Sequence, residues 1–353
     1  MTKLFLTGAT GYIGGDLLEV LTATYPDLQI TALVRNSDKG AQVASQYPSV
    51  RLVYGDLDST DVITKAASES DIVVNTANCD HAASASAIIA GLAQRTSSSK
   101  AYFIHTSGTG ILTSADLDTK TFGIYREKVF DDWQGIKEVV NNLPDTALHR
   151  TVDKIVLAAS HDHPGKIATA IVCPPCIYGV GRGPGNQKSQ QAYRLARATL
   201  KRGKGVQVGE GKNMWTQVHV RDLSNVFLAL FTEAMSAGGG KATWDDEGYY
   251  FAEAGGFVWG DVSKGIAKVA KKNGWIESEE VESVSAEEAD RLVPMASYMW
   301  GSNSRCMAYR ARKVLGWQPK EKGLLDTLEE IVEVEARELG VDKGHAAKAA
   351  GEA

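Results

Sequence analysis

The chain has 353 residues, with 38 Lys and Arg against 43 Asp and Glu, a formal net charge of −5 and a pI near 5.9. Hydrophobic residues at 43% and charged residues at 23% describe a folded globular protein and exclude a disordered one. The acidic balance supplies no global field for a nucleic acid or an anionic membrane surface, so neither is an expected partner. No run approaches ~18 uninterrupted apolar residues, and no secretory leader is read in the opening residues. Four cysteines, Cys79, Cys173, Cys176 and Cys306, are too few for a disulfide framework, and the expected location is cytoplasmic.

Taken in chain order, short β-branched or apolar runs at 3–7, 29–34, 51–54, 71–75, 101–106 and 168–172 predict strands. Helical spacing between them, over 13–21, 62–67 and 83–92, predicts crossover helices. Strands alternating with helices make βαβ units, and right-handed crossovers wind them into a Rossmann-type doubly wound parallel sheet. The expected organisation is a nucleotide-binding domain over 1–172 with a long polar insertion at 108–144, a smaller α/β substrate lobe over 173–342, and a flexible tail at 343–353. Pro144 and Asp145 are expected to open a helix running to Ala159, with Asp145 as its cap. Further on, 179–185 is a glycine-rich loop, 238–240 a turn, 277–288 an acidic solvated segment and 324–339 an amphipathic helix.

The strongest local signal is Thr7-Gly8-Ala9-Thr10-Gly11-Tyr12-Ile13-Gly14, directly after the first strand and opening an apolar helix. Gly8 permits the tight turn, Gly11 lets the backbone approach a pyrophosphate, and Gly14 allows close helix–strand packing. The helix N-terminus then offers free N–H groups to the phosphates. At the end of the second strand, Leu33-Val34-Arg35-Asn36 carries an arginine where NAD binders usually carry an acid. Arg35, with Lys39 close behind, suits the 2′-phosphate of NADP, and NADP is expected over NAD.

With these residues in view, nearly the whole chain resembles the extended short-chain dehydrogenase/reductases of the NAD-dependent epimerase/dehydratase group. Residues 7–14 match that family's TGATGYIG loop, and Gly55-Asp56-Leu57 its GDL motif. Asn75-Thr76-Ala77 is similar to the segment passing along the cofactor, and Pro174-Pro175-Cys176-Ile177-Tyr178-Gly179 to the segment beside the nicotinamide. His219-Val220-Arg221-Asp222-Leu223 and Leu315-Gly316-Trp317-Gln318-Pro319 resemble two later signatures. The cofactor contacts that the resemblance implies are Gly8, Thr10, Gly11, Tyr12, Ile13, Gly14, Arg35, Asp56, Leu57, Thr76, Ala77, Thr106 and Pro174. It also implies a small-molecule substrate, and a homodimer is common in the family.

Members of the family work with a Ser or Thr and a Tyr-x-x-x-Lys pair on one helix face. Ser107 and Thr109 are the hydroxyl candidates, because Gly108 falls where many members carry the catalytic serine. The Tyr-x-x-x-Lys pair is missing. In the expected helix His149 falls at the lysine position and Asp145 at the tyrosine position, while another register offers Arg150 and Lys154. His149 could hold the ribose or do acid–base work, or be purely structural and bonded to Asp153 one turn on, and Tyr125 or Tyr178 could deliver the proton from another direction. Three readings follow: an NADP(H)-dependent reductase or dehydrogenase with a substitute acid, a non-catalytic NADP(H) sensor of the NmrA-like kind, and a sugar-nucleotide epimerase or isomerase.

The remaining tempting residues read structurally. Cys173 and Cys176 close an apolar strand around two prolines instead of opening a helix, and His161-Asp162-His163 sits at a helix end, so no metal site is expected. His105 and His219 read as satisfied polar positions. Arg182 and Lys188 form a basic loop open to an acidic substrate or to solvent. Tyr298 and Trp300 either line a substrate pocket or pack the small lobe.

Overall fold

The structure, a computed structural model, describes residues 1–341. A seven-stranded sheet runs in the spatial order Tyr249–Phe251, Ile167–Cys173, Ala101–Thr106, Ile72–Asn75, Lys3–Thr7, Gln29–Val34, Arg51–Tyr54. Every pairing in it is parallel. The three strands Ile72–Asn75, Ala101–Thr106 and Ile167–Cys173 are buried along their whole length, which is why they read as continuous apolar runs without alternation. Helix Tyr12–Thr24 packs against Val220–Met235, and Ala82–Ala93 packs against both Thr60–Ser68 and Arg150–Asp162, giving the two helical layers. From Lys3–Thr7 the chain moves outward to one edge and then returns to Ile72–Asn75 on the other side. The carboxyl ends of those two strands therefore flank the crevice where a doubly wound sheet binds ligands.

The later segments build a second core around Tyr193, Trp215, Trp259, Trp300 and Ile331. Its framework is the sheet Gly256–Val258, Met214–His219, Cys176–Tyr178 and the pair Val281–Val284 with Gly205–Val208. The chain also returns to the first core: Tyr249–Phe251 supplies the edge strand, and Cys306 and Trp317 pack there. The expected amphipathic helix is present as a short 3-10 turn, Leu324–Thr327, continued by Leu328–Leu339.

Two expectations change. The helix foreseen from Asp145 begins later, as Arg150–Asp162. The Ala147 N–H donates to the Pro144 carbonyl and closes a tight turn, and His149 sits in the left-handed region at φ +66°, which no helix interior accommodates. Asp145 pairs with Lys154, and the N-cap position is taken by His149. The insertion 108–144 is also less polar inside than its composition suggests. It buries Ile111, Leu112, Val139 and Leu143 and contributes Phe130–Asp131, which pairs in parallel with Cys306–Met307. The expected tail at 343–353 lies outside the described residues, and among those described no helix is long and apolar enough to cross a membrane.

Candidate active site

The loop after Lys3–Thr7 takes its shape from glycines. Gly8 has φ +82°, and a Cβ there would lie 2.6 Å from the Thr76 carbonyl oxygen. A Cβ on Gly14 would collide with both the Thr76 hydroxyl and the Gly8 carbonyl. The turn is closed by the Gly11 N–H donating to Gly8 O at 2.8 Å. Gly11 is the N-cap of Tyr12–Thr24 and has no side-chain cap, so the first-turn amides face the crevice unclaimed by any described residue.

A groove of about 720 Å³ runs along this loop, lined by Gly8, Thr10, Gly11, Arg35, Lys39, Asp56, Leu57, Thr76 and Ala77. A second space of about 290 Å³ shares Thr76 and Asn186 with it and adds Tyr12, Ile13, Pro175 and Ile177. Asn36 caps the helix Ser37–Gln46 by accepting the Lys39 N–H at 3.0 Å, which sets Arg35 at the groove mouth, exposed and without an ion pair to any described residue. Asp56 accepts from the Ser59 hydroxyl at 2.8 Å and the Asp58 N–H at 3.1 Å, and these bonds hold its carboxyl below the usual range. The unclaimed amides, a cradle that a Cβ would fill and a free guanidinium fit a phosphorylated dinucleotide. Thr106 and Pro174, both expected at the cofactor, are buried.

The loop 179–189 closes onto the phosphate loop. Tyr12 donates its hydroxyl to the Gly179 carbonyl at 2.6 Å, and the Asn186 N–H donates to Thr10 O at 3.0 Å. Arg182 reaches the fully buried Asp16 through Nε at 2.9 Å and Nη2 at 2.8 Å. Burial opposes the Asp16 charge, but Arg182 and the Ser224 hydroxyl outweigh it and hold the carboxyl low. Lys188 is shared between Glu335 and Glu338 at 2.8 and 2.7 Å. Both cations foreseen for an acidic substrate are thus neutralised within the fold.

Beyond the groove, the expected catalytic groups separate. Ser107 is buried and donates to Asp153 at 2.9 Å, and Tyr249 donates to the same carboxylate oxygen at 3.0 Å. Burial pushes Asp153 up to about 6. Thr109 is buried too, its hydroxyl accepting from Ser304 at 2.8 Å. Tyr178 is 1% exposed and donates to the Lys322 carbonyl at 2.6 Å, so it is not available as an acid. Tyr125 is exposed on the insertion, stacked under Arg305, whose guanidinium donates to its hydroxyl at 3.0 Å.

His149 is different. Its Nδ1 pairs with Asp80 at 2.8 Å and approaches the Cys79 sulfur at 3.3 Å, not Asp153 as the helical spacing had suggested. Burial disfavours the charged ring, yet the Asp80 carboxylate and Cys79 prevail and raise it to about 10. The other nitrogen, Nε2, lies 3.0 Å from where a Cβ on Gly108 would stand, and equally far from one on Gly110. Gly108 is bare where a serine was expected, and the imidazole occupies the space. The Tyr298 hydroxyl also abuts the Gly110 position. Sequence reasoning held Tyr298 only as a pocket-or-packing residue, and no short-range signal joins it to His149.

The other candidates are structural. Cys173 and Cys176 are buried free thiols pushed up by burial. His105 bonds Asn75 at 3.0 Å and is held neutral by burial, its value falling to about 3. His219 caps Val220–Met235, accepting the Arg221 N–H, and His161 pairs with Asp246 at 2.7 Å.

Residues 8–142 match a family model described as NAD(P)H-binding. The oxidase ucsJ of an Acremonium species is 39% identical over 345 residues, covering 96% of this chain and 99% of its own length. An uncharacterised protein of Saccharomyces cerevisiae is 24% identical over 340 residues, 92% of this chain and 97% of its own. Among solved structures, the dTDP-glucose 4,6-dehydratase of Bacillus anthracis, in complex with NAD, aligns with a TM-score of 0.65 at 14% identity, covering 98% and 99% of the two chains. The UDP-glucose 4-epimerase of Thermotoga maritima, with UDP-glucose, gives 0.64 at 13%, covering 96% and 100%. At those identities the likeness is one of fold, and the fold, the phosphate loop and the full-length relative agree. The chain belongs to the family of the oxidase ucsJ, carries an NAD(P)H-binding domain, and shares the fold of the epimerase and dehydratase structures.

Proposed function

We propose that the protein is an NADP(H)-dependent oxidoreductase that reduces a carbonyl or imine of a small molecule, or runs the reverse oxidation. The observation that carries the NADP assignment is the free Arg35 guanidinium at the groove mouth, with Lys39 one helical turn on, at the strand end where an acid would select NAD. When bound, the nucleotide would supply hydride chemistry. Gly8, Gly11 and the first turn of Tyr12–Thr24 would hold the pyrophosphate, Asp56 the adenine, Arg35 the 2′-phosphate, and Thr76 and Ala77 the stretch towards the nicotinamide.

The sugar-nucleotide reading draws on structural relatives named as a UDP-glucose epimerase, with UDP-glucose, and a dTDP-glucose dehydratase. Against it, Arg182, Lys188, Arg197 and Arg312 are each engaged by a carboxylate of this chain, which speaks for a substrate without a diphosphate. The relative named an oxidase supports redox turnover over sensing. Calorimetric titration with NADPH and NADH tests the proposal: it expects at least about tenfold tighter binding of NADPH, and equal affinities would remove its basis.

A further inference from the structure

We propose that His149 and Tyr298 form the acid site of this enzyme, standing where Gly108 and Gly110 leave room and replacing the absent Tyr-x-x-x-Lys pair. The inference rests on the oxidoreductase reading above. Each of the two functional atoms is free: neither His149 Nε2 nor the Tyr298 hydroxyl bonds any described residue, and both flank the Cβ position of Gly110. Each is also firmly aimed. His149 is fixed by its left-handed backbone and by the Asp80 bond on the opposite ring nitrogen, so the imidazole presents Nε2–H towards Gly108 and Gly110. Tyr298 sits on Ala296–Gly301, which follows Met295 at φ +64°, and its ring meets Trp215 edge-on with centroids 6.0 Å apart.

The groups around His149 are Cys79 and Asp80 from the loop after Ile72–Asn75, His105 from the neighbouring strand, Arg150 and Asp153 on the helix it opens, and Tyr298 beside the same Gly110 position. His105 is held neutral by burial, and the Asp80 hydrogen bond, followed by Cys79, favours an imidazolium at His149. Burial pushes the Tyr298 phenol up, which keeps it protonated as a hydrogen-bond donor. The division of labour follows. Tyr298 donates a hydrogen bond to the substrate oxygen, and His149 transfers the proton. As hydride reaches the carbonyl carbon and the nucleotide is oxidised, the C=O π pair closes onto oxygen. That oxygen takes the Nε2 proton, and the neutral ring regains one from water. Asp80 is a positioning residue.

The test uses the full chain with NADPH and 9,10-phenanthrenequinone as an activated carbonyl probe. His149→Asn, chosen because asparagine tolerates the left-handed backbone, is expected to lower kcat about 100-fold, and Tyr298→Phe about 10-fold. The NADPH dissociation constant should stay within about twofold in both. Without any turnover, NMR titration should show His149 as imidazolium beyond about pH 8, and Asp80→Asn should return it towards neutrality. A kcat within about threefold of wild type in either variant, or a wild-type His149 that titrates below neutral pH, overturns the acid site and leaves the oxidoreductase reading standing. NADPH binding without any wild-type reduction of the probe contradicts the oxidoreductase reading, and the acid site falls with it.

Discussion

Replacing Arg35 with alanine isolates the contact proposed to select the nucleotide. Arg35 is exposed, unpaired and one residue before the Asn36 cap, so its removal leaves the strand, the cap and the groove floor intact. A charge-assisted hydrogen bond to a phosphate contributes roughly 1.5–3 kcal/mol. Solvent access at the groove mouth places Arg35 at the lower end, and Lys39 stays nearby to recover part of the loss. The expected cost is about 1.5–2 kcal/mol, or roughly 10–30-fold in the NADPH dissociation constant. NADH has no 2′-phosphate and should lose less than about twofold. Fluorescence titration of both nucleotides against wild type and Arg35→Ala gives the comparison. Added salt should weaken wild-type NADPH binding more than that of the variant. Equal losses for the two nucleotides would refute the assignment of Arg35 to the 2′-phosphate.

Other consequences are as direct. Gly14→Ala would drive a methyl into the Thr76 hydroxyl and the Gly8 carbonyl, so chemical denaturation should show a loss of about 1–3 kcal/mol, together with impaired NADPH binding. Unchanged stability would mean the loop is not packed as described. Asp16→Ala removes the buried partner of Arg182; with Arg182 one-third exposed and able to find water, about 2–3 kcal/mol should be lost, and the loop 179–189 should become more protease-sensitive. Because Asp16 is held below its unfolded value of roughly 3.9, its stabilising contribution is present above that pH and fades as pH falls through the lower folded value. Wild type should therefore lose its advantage over Asp16→Ala in acid, and a constant difference would contradict the ion pair. Finally, a thiol reagent should modify Cys79 in the native protein well before Cys173, Cys176 and Cys306, which are buried; simultaneous reaction of all four would contradict the packing.

What the sequence disclosed were its local features. The glycines at 8, 11 and 14 carry their meaning within one strand–turn–helix, and Arg35 is read from its place at a strand end. The helix at the chain's end follows from its apolar spacing, since Ile331, Val332 and Ala336 fall on one buried stripe. The acid site was not legible in the same way. His149 was singled out, but its partner Asp80 is 69 residues away and belongs to another strand's loop. Tyr298 reaches the same gap from the second core. Helical spacing pointed His149 at Asp153, and only the turn begun at Pro144 and the left-handed backbone at His149 turn the ring elsewhere. Tyr178 failed for a related reason: its hydroxyl is claimed by the Lys322 carbonyl, a tertiary contact invisible to spacing.

The most direct measurement is a crystal structure of the NADPH complex, read for the position of nicotinamide carbon 4. The account predicts that carbon within about 4–5 Å of a space bordered by His149 Nε2 and the Tyr298 hydroxyl, open enough to admit a carbonyl group. A nicotinamide facing apolar side chains alone, with His149 and Tyr298 turned away, would contradict the account and mark the protein as one that binds the nucleotide without reacting it.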